Sequence, residues 1–113
     1  MFLLIIILNR EEFLDDVLSS LVELGVTEAA VIDSESMRKV LAYEIPIFAG
    51  LRIGGSRPYS KTILALSDDP DVGAEMVHLL KDINIDLEAP GVATLITLRV
   101  ESVLGTPAEP EGE

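Results

Sequence analysis

Cysteine and tryptophan are absent from the 113 residues, histidine occurs once, and the aromatic side chains are limited to three Phe and two Tyr. Without cysteine there is no disulfide, no thiolate metal ligand and no thiol nucleophile, and the absence fits a cytoplasmic protein. With His78 as the single imidazole, a transition-metal site would have to be built from carboxylates around it, and no Ser/His/Asp set can be assembled. Positive charge is scarce: eight Lys and Arg stand against twenty Asp and Glu, a net charge of -12. A nucleic-acid backbone would be repelled, which excludes nucleic acid as a partner. The longest apolar run, Phe2 to Leu8, falls far short of the roughly 20 residues needed to span a bilayer. It has no basic n-region and no small-residue cleavage site, so neither a signal peptide nor membrane insertion is expected.

What is present is aliphatic. Almost half the residues are hydrophobic, 49%, in a chain of one-domain length. "FLLIIIL" (2–8) is short, continuous and Ile-rich, the pattern of a strand buried on both faces. Asn9 and Glu12 stand in capping-box spacing, and Phe13, Leu14, Val17, Leu18, Leu21 and Leu24 then recur at helical period until Gly25. "TEAAVID" (27–33) and "KTILALS" (61–67) read as strands. Asp69 before Pro70 starts a second helix whose buried stripe is Val72, Met76, Leu79, Leu80 and Ile83, with Lys81 near its end. "VATLITLRVE" (92–101) is a fourth strand, with Val92, Thr94, Ile96, Leu98 and Val100 on one face and Ala93, Leu95, Thr97, Arg99 and Glu101 on the other. The tail 106–113, "TPAEPEGE", has no apolar anchor and is expected to be disordered.

The order β-α-β-β-α-β predicts an α+β, ferredoxin-like plait occupying residues 1–105. Both helices then cover one face of a four-stranded antiparallel sheet. "FLLIIIL" needs two covers and the chain supplies one, so the other face is expected to pack against further copies of the same chain.

Between the second and third strands lies a long irregular segment, 34–60, in which Met37, Val40 and Leu41 suit a turn or two of helix that Pro46 must stop. Its continuation "EIPIFAGLRIGGSRPYS" combines Pro and Gly punctuation with Ile45, Ile47, Phe48, Leu51 and Ile53. Irregular segments longer than about 15 residues are uncommon in compact domains and are usually functional or disordered. This one is too apolar for a solvated linker and is expected to dock on a neighbouring subunit or a partner. Five of the eight basic residues, Arg38, Lys39, Arg52, Arg57 and Lys61, also fall in or beside it. "RIGGS" between Arg52 and Arg57 could wrap an anion with backbone N–H groups, although no nucleotide-binding glycine motif is present. The acidic pairs Glu11-Glu12, Asp15-Asp16 and Asp68-Asp69 fall on helix starts and faces, where they complement the helix dipole rather than form acid/base dyads.

Three stretches carry a family resemblance: "LVELGVTEAAVIDS" (21–34), "RPYSKTILALSDDPDVGAEMVHLL" (57–80) and "PGVATLITLRVESVLG" (90–105). In this order they resemble the PII signal-transduction superfamily, trimeric ferredoxin-like proteins known from nitrogen regulation. "MRKVLAYEIPIFAGLR" (37–52) looks like the T-loop of a divergent PII-like branch. "NIDLEAPGVA" stands where the family's B-loop carries its glycine-rich, lysine-containing nucleotide signature. The resemblance implies a homotrimer with intersubunit clefts and an adenine nucleotide (ATP, ADP or AMP) as candidate effector. It puts Gly25, Val26 and Thr27 near an adenine, Arg38 and Lys39 at the base of the T-loop, and Pro90 and Gly91 in the B-loop.

The function expected from residues and resemblance together is that of a non-enzymatic regulator. A small anionic ligand would meet Arg38, Lys39, Arg52 and Arg57, and Ile47, Phe48 and Leu51 would pack on a partner protein, membrane proteins included, or on a neighbouring subunit. The alternative is an interaction module of the same fold that binds no ligand. A third reading, a small enzyme using His78 and Asp82 as acid and base, has the weakest basis.

Overall fold

The computed structural model describes residues 1–47 and 59–105. In chain order they form β1 (Phe2–Leu8), a 3₁₀ turn (Glu11–Phe13), α1 (Leu14–Glu23), β2 (Ala29–Glu35), α2 (Met37–Glu44), β3 (Tyr59–Ser67), α3 (Val72–Lys81) and β4 (Ala93–Arg99). The strands make one sheet in the order β2-β3-β1-β4 with every neighbouring pair antiparallel. This is the α+β, ferredoxin-like plait, with α2 added in the long connection. The expected disordered tail lies outside the described residues, as does the loop from Phe48 to Pro58.

The register assigns each side chain to a face, because residues opposite one another in antiparallel strands point the same way. Ile6 stands between Ile63 and Leu95, and Leu4 between Ala65 and Thr97. That face packs against α1 and α3, where Leu4, Ile6, Leu8, Ile63 and Ala65 join Val17, Leu21, Val72, Met76 and Leu80 in one core cluster. On the opposite face Ile5 stands between Leu64 and Ile96, Leu3 between Leu66 and Leu98, and Ile7 between Thr62 and Thr94. Ala30 and Ile32 of β2 extend this face across β3. Neither α1 nor α3 covers it, so the sheet presents an aliphatic surface of roughly 400 Å², four strand spacings wide and one strand long. A patch of that size falls within the roughly 300–600 Å² of the largest apolar patch on a typical monomer, a kind of patch that is often functional.

Both long helices end in the same way. Gly25 has φ +88°, and the N–H groups of Gly25 and Val26 donate to the carbonyls of Val22 (3.0 Å) and Leu21 (2.8 Å). Asn84 has φ +65°, and the N–H groups of Asn84 and Ile85 donate to Lys81 (3.0 Å) and Leu80 (2.9 Å). Each is a Schellman motif: a left-handed residue reverses the chain, and the apolar residue after it packs back on the last turn. Val26 and Ile85 are accordingly buried.

The second strand begins at Ala29 rather than Thr27, where its pairing with β3 starts opposite Ala65, and it runs on to Glu35, which pairs with Tyr59. Ile83, assigned above to the buried stripe of α3, is 55% exposed, because the reversal at Asn84 gives the inward place to Ile85. The capping box at Asn9 does not form: α1 is preceded by a 3₁₀ turn with no side-chain cap. Glu12 instead accepts hydrogen bonds from Arg10, whose guanidinium lies 5.3 Å from the centre of the Phe13 ring. Asp69 Oδ1 accepts the Asp71 N–H at 2.8 Å, but α3 starts only at Val72, so Pro70 lies in a turn before the helix and Asp71, without a side-chain cap, is its N-cap.

Candidate functional site

The long loop leaves and re-enters the sheet at adjacent positions. β2 ends at Glu35 and β3 begins at Tyr59, and these two residues are paired, as are Ser34 and Ser60. The base is held by hydroxyls: Ser34 Oγ lies 2.7 Å from Ser60 Oγ and 2.8 Å from Thr62 Oγ1. Ser60 is buried, so the hydroxyl cluster replaces the water those groups would otherwise bind. Lys61 Nζ donates to Asp33 across the same strand pair. This hydrogen bond, more than the charge of Asp33 and Glu11 nearby, raises the Lys61 ammonium above its ordinary value. A cleft of about 300 Å³ opens here, lined by Glu11, Asp33, Ser34, Glu35, Tyr59, Ser60 and Lys61.

Among its lining residues this cleft carries three carboxylates and one ammonium that is already paired. Such a lining by itself favours a neutral or cationic group over a phosphate. The sequence reading looked for cations at this place and missed Glu11, Asp33 and Glu35. The hydroxyls were detectable, since Ser34 and Ser60 flank the loop at strand ends, but the capture of Lys61 by Asp33 depends on strand register.

α2 follows β2 after a single residue, Ser36, and its hydrogen bonding starts from Val40 N–H to Ser36 O at 2.8 Å. Arg38 and Lys39 therefore occupy the first turn of this helix, where the macrodipole favours anions and disfavours cations. The helix runs two turns to Glu44 and stops before Pro46, as the sequence required. Ala42 is buried, whereas Met37 and Ile47 are 77% and 83% exposed. Of the expected docking residues, Ile47 is thus solvent-facing, and Phe48 and Leu51 lie outside the described residues, as do Arg52 and Arg57.

Pro90 and Gly91 occupy the centre of a turn in which Val92 N–H donates to Ala89 O at 3.1 Å. With Pro at its second position and Gly91 at φ +79°, it is a type II turn, which only Gly or Asn fits well. The Asn9 N–H bonds to Val92 O at 2.9 Å, tying this turn to the end of β1. Since Leu8 pairs with both Lys61 and Ala93, the turn and the loop base lie at the same end of the sheet. Gly25, Val26 and Thr27 lie at the other end, just before Ala29, which pairs with Ala65 opposite Leu4. One strand length, roughly 20 Å, separates them from the loop base within one chain.

Two further clefts are lined by described residues. One, about 510 Å³, runs between α3 and β4 and is lined by Gly73, Ala74, Val77, Leu87, Glu88, Ala93, Leu95 and Thr97. The other, about 360 Å³, is a depression on the open face lined by Leu3, Glu28, Ala29, Ala30, Leu64 and Leu66. His78 and Asp82 are exposed on and just after α3 and line none of these clefts. No group of three or more His, Asp or Glu placed to hold a metal occurs among the described residues, and none of their helices is long and apolar enough to cross a membrane. The chain matches no protein-family model and no curated protein.

Proposed function

We propose that this chain is a PII-like regulatory subunit without catalytic activity, working in the cytoplasm as a homotrimer that signals to a protein partner through the 34–60 loop. What carries the reading is the aliphatic sheet face opposite α1 and α3, which gives each copy a reason to assemble with others. With the loop tied to paired strand ends, a ligand at that base would bias the loop between free and docked states.

The ligand in this reading is a small anion, an adenine nucleotide being the first candidate. Support comes from Arg38 and Lys39, which belong to the first turn of α2, the helix end whose macrodipole favours anions. Arg52 and Arg57 would add charge from the loop. Gly25 to Thr27 would reach such a ligand only from a second subunit, since one strand length separates them from the loop base. Light scattering over a dilution series, followed by calorimetry with ATP, ADP and AMP, tests both halves. Trimer mass with heat on nucleotide addition is expected; a monomer, or no heat at concentrations that detect micromolar affinity, removes the corresponding half.

The acidic lining of the loop-base cleft favours a second reading, an interaction module of the same fold that binds no ligand. Limited proteolysis separates the two. Cutting within 38–60 that nucleotide suppresses belongs to the sensor, and a loop that resists protease with or without nucleotide belongs to the module.

A further inference from the structure

β4 is an outer strand of the sheet, and among the described residues nothing pairs with its outer edge. Hydrogen bonds at its two ends fix which backbone groups that edge presents. The Asn9 N–H bonds to Val92 O, and the Val100 N–H bonds to Met1 O. In an antiparallel ladder bonded pairs recur at every second residue, so Thr94, Ile96 and Leu98 turn their N–H and C=O groups to β1. Ala93, Leu95, Thr97 and Arg99 therefore turn theirs outward. Their side chains point to the helix side, where Ala93, Leu95 and Thr97 form one wall of the cleft of about 510 Å³ against α3. The two outer strands also differ in protection. β2 carries Asp33 and Glu35, like charges that keep two such edges apart, whereas β4 has no charge before Arg99 and no proline.

We infer that β4 pairs edge to edge with β4 of a second copy, antiparallel and two-fold about Ile96, joining two four-stranded sheets into one. The inference goes beyond the reading above and does not rest on it, because it uses the edge of the sheet and not its open face. Three observations select a second copy in this register. Bonded pairs form only between outward-turned residues, and the two-fold meets this by pairing Ala93 with Arg99 and Leu95 with Thr97. No other two-fold register in that phase pairs all seven residues of the strand; this one gives four bonded pairs and so about eight backbone hydrogen bonds. Charge fits as well. On the helix side the pairing sets Arg99 of one copy beside Ala93 of the other, and Glu88 lines the cleft at that end, since the turn 89–92 leads from it into Ala93. Among the described residues Arg99 has no ion-pair partner in its own chain and Glu88 has only Lys81, at 3.2 Å, so each end of the seam brings opposite charges of two copies together. A strand of an unrelated protein would meet the same backbone groups, but only this chain matches itself in phase, length and charge.

The absence of cysteine makes the register directly testable. Ile96 turns its backbone to β1, so it and its symmetry mate form a non-hydrogen-bonded pair with Cα atoms about 4.5 Å apart, within disulfide range. Ile96→Cys under mild oxidation is expected to give a covalent dimer. Thr94→Cys, exposed on the same face, meets its counterpart four residues out of step, about 14 Å away, and is expected to stay unlinked. Thr97→Pro removes an outward N–H while leaving the β1 ladder its bonds, and is expected to halve the mass read by light scattering at tens of micromolar. Arg99→Glu should raise the dissociation constant roughly tenfold, and adding Glu88→Lys should restore it. Cross-linking at neither cysteine, or equally at both, overturns the pairing; these two variants change exposed positions only and decide the matter if Thr97→Pro perturbs folding. A wild-type mass that Thr97→Pro leaves unchanged also overturns it, and if that mass is a trimer's the sheet-face assembly stands without the edge contact. A dimer that links at Cys-substituted Ile96 and becomes monomeric with Thr97→Pro supports the edge contact and removes the trimer.

Discussion

The left-handed residues that end α1 and α3 allow a matched experiment. At Gly25, φ is +88° and a Cβ built on the backbone would meet nothing within 4 Å. An alanine there should therefore cost only its backbone strain, about 1–2 kcal/mol for an L-residue in the left-handed region. Part of this is offset because alanine also restricts the unfolded chain, by about 0.4–1 kcal/mol. The expected net loss for Gly25→Ala is about 1 kcal/mol. Asn84, at φ +65°, already pays part of that strain, and asparagine tolerates the conformation because its amide bonds locally. Gly25→Asn should therefore cost only a few tenths of a kcal/mol, Asn84→Gly should be neutral within about 0.5 kcal/mol, and Asn84→Ala should resemble Gly25→Ala. Urea unfolding at one fixed protein concentration reads these differences. With a slope of about 1.5 kcal/mol/M, Gly25→Ala lowers the midpoint by about 0.7 M. A wild-type midpoint for Gly25→Ala would refute the account of the cap. A loss above about 3 kcal/mol would also refute it, because something must then fill the space that is empty beside Gly25 in the isolated subunit.

Met76→Ala removes a side chain with no exposed surface from the centre of the core and is expected to cost about 2–5 kcal/mol in the same assay. Gly73→Ala should stabilise by up to about 1 kcal/mol through helix propensity, since its Cβ would sit at ordinary contact distances of 3.4, 3.7 and 3.8 Å from Leu4, Thr97 and Leu95; a loss would mean that α3 cannot yield there. The Glu75 carboxyl is raised by desolvation and then by Asp69 and Asp71, so its ionisation opposes folding above its folded-state pKa and is without effect below its lower unfolded-state pKa. Glu75→Gln should accordingly raise the melting temperature at pH 7, with the advantage disappearing below about pH 4; an equal gain at both pH values would refute this.

The strand and helix assignments were legible because burial imposes period: "FLLIIIL" could only be a central strand, and the 3.6-residue stripe from Phe13 to Leu24 could only be a helix. Boundaries failed where local hydrogen bonding competed. Asn9 has good capping chemistry, but Arg10 takes Glu12, and nothing in the spacing of residues 9 to 13 decides between the two. Val26 and Ile85 look like ordinary apolar positions until the left-handed residue before each of them turns the chain. The uncovered face followed from counting helices against apolar strand faces, which needs no register. The acidic cleft did not follow, because Glu11, Asp33, Glu35 and Lys61 come together only through the pairing of β2 with β3 and the approach of the turn after β1.

Sheet order also has a consequence for biosynthesis. β1 is the first element made, yet its hydrogen-bonding partners are β3 and β4, the last two strands of the sheet. At roughly 5–20 residues per second, "FLLIIIL" leaves the ribosome several seconds before either partner exists. During that interval a seven-residue segment rich in Ile and Leu has both edges and both faces open, the profile of an aggregation-prone strand. The acidic residues that follow at once, Glu11, Glu12, Asp15 and Asp16, are placed to keep neighbouring nascent chains apart until residue 61 and its successors arrive.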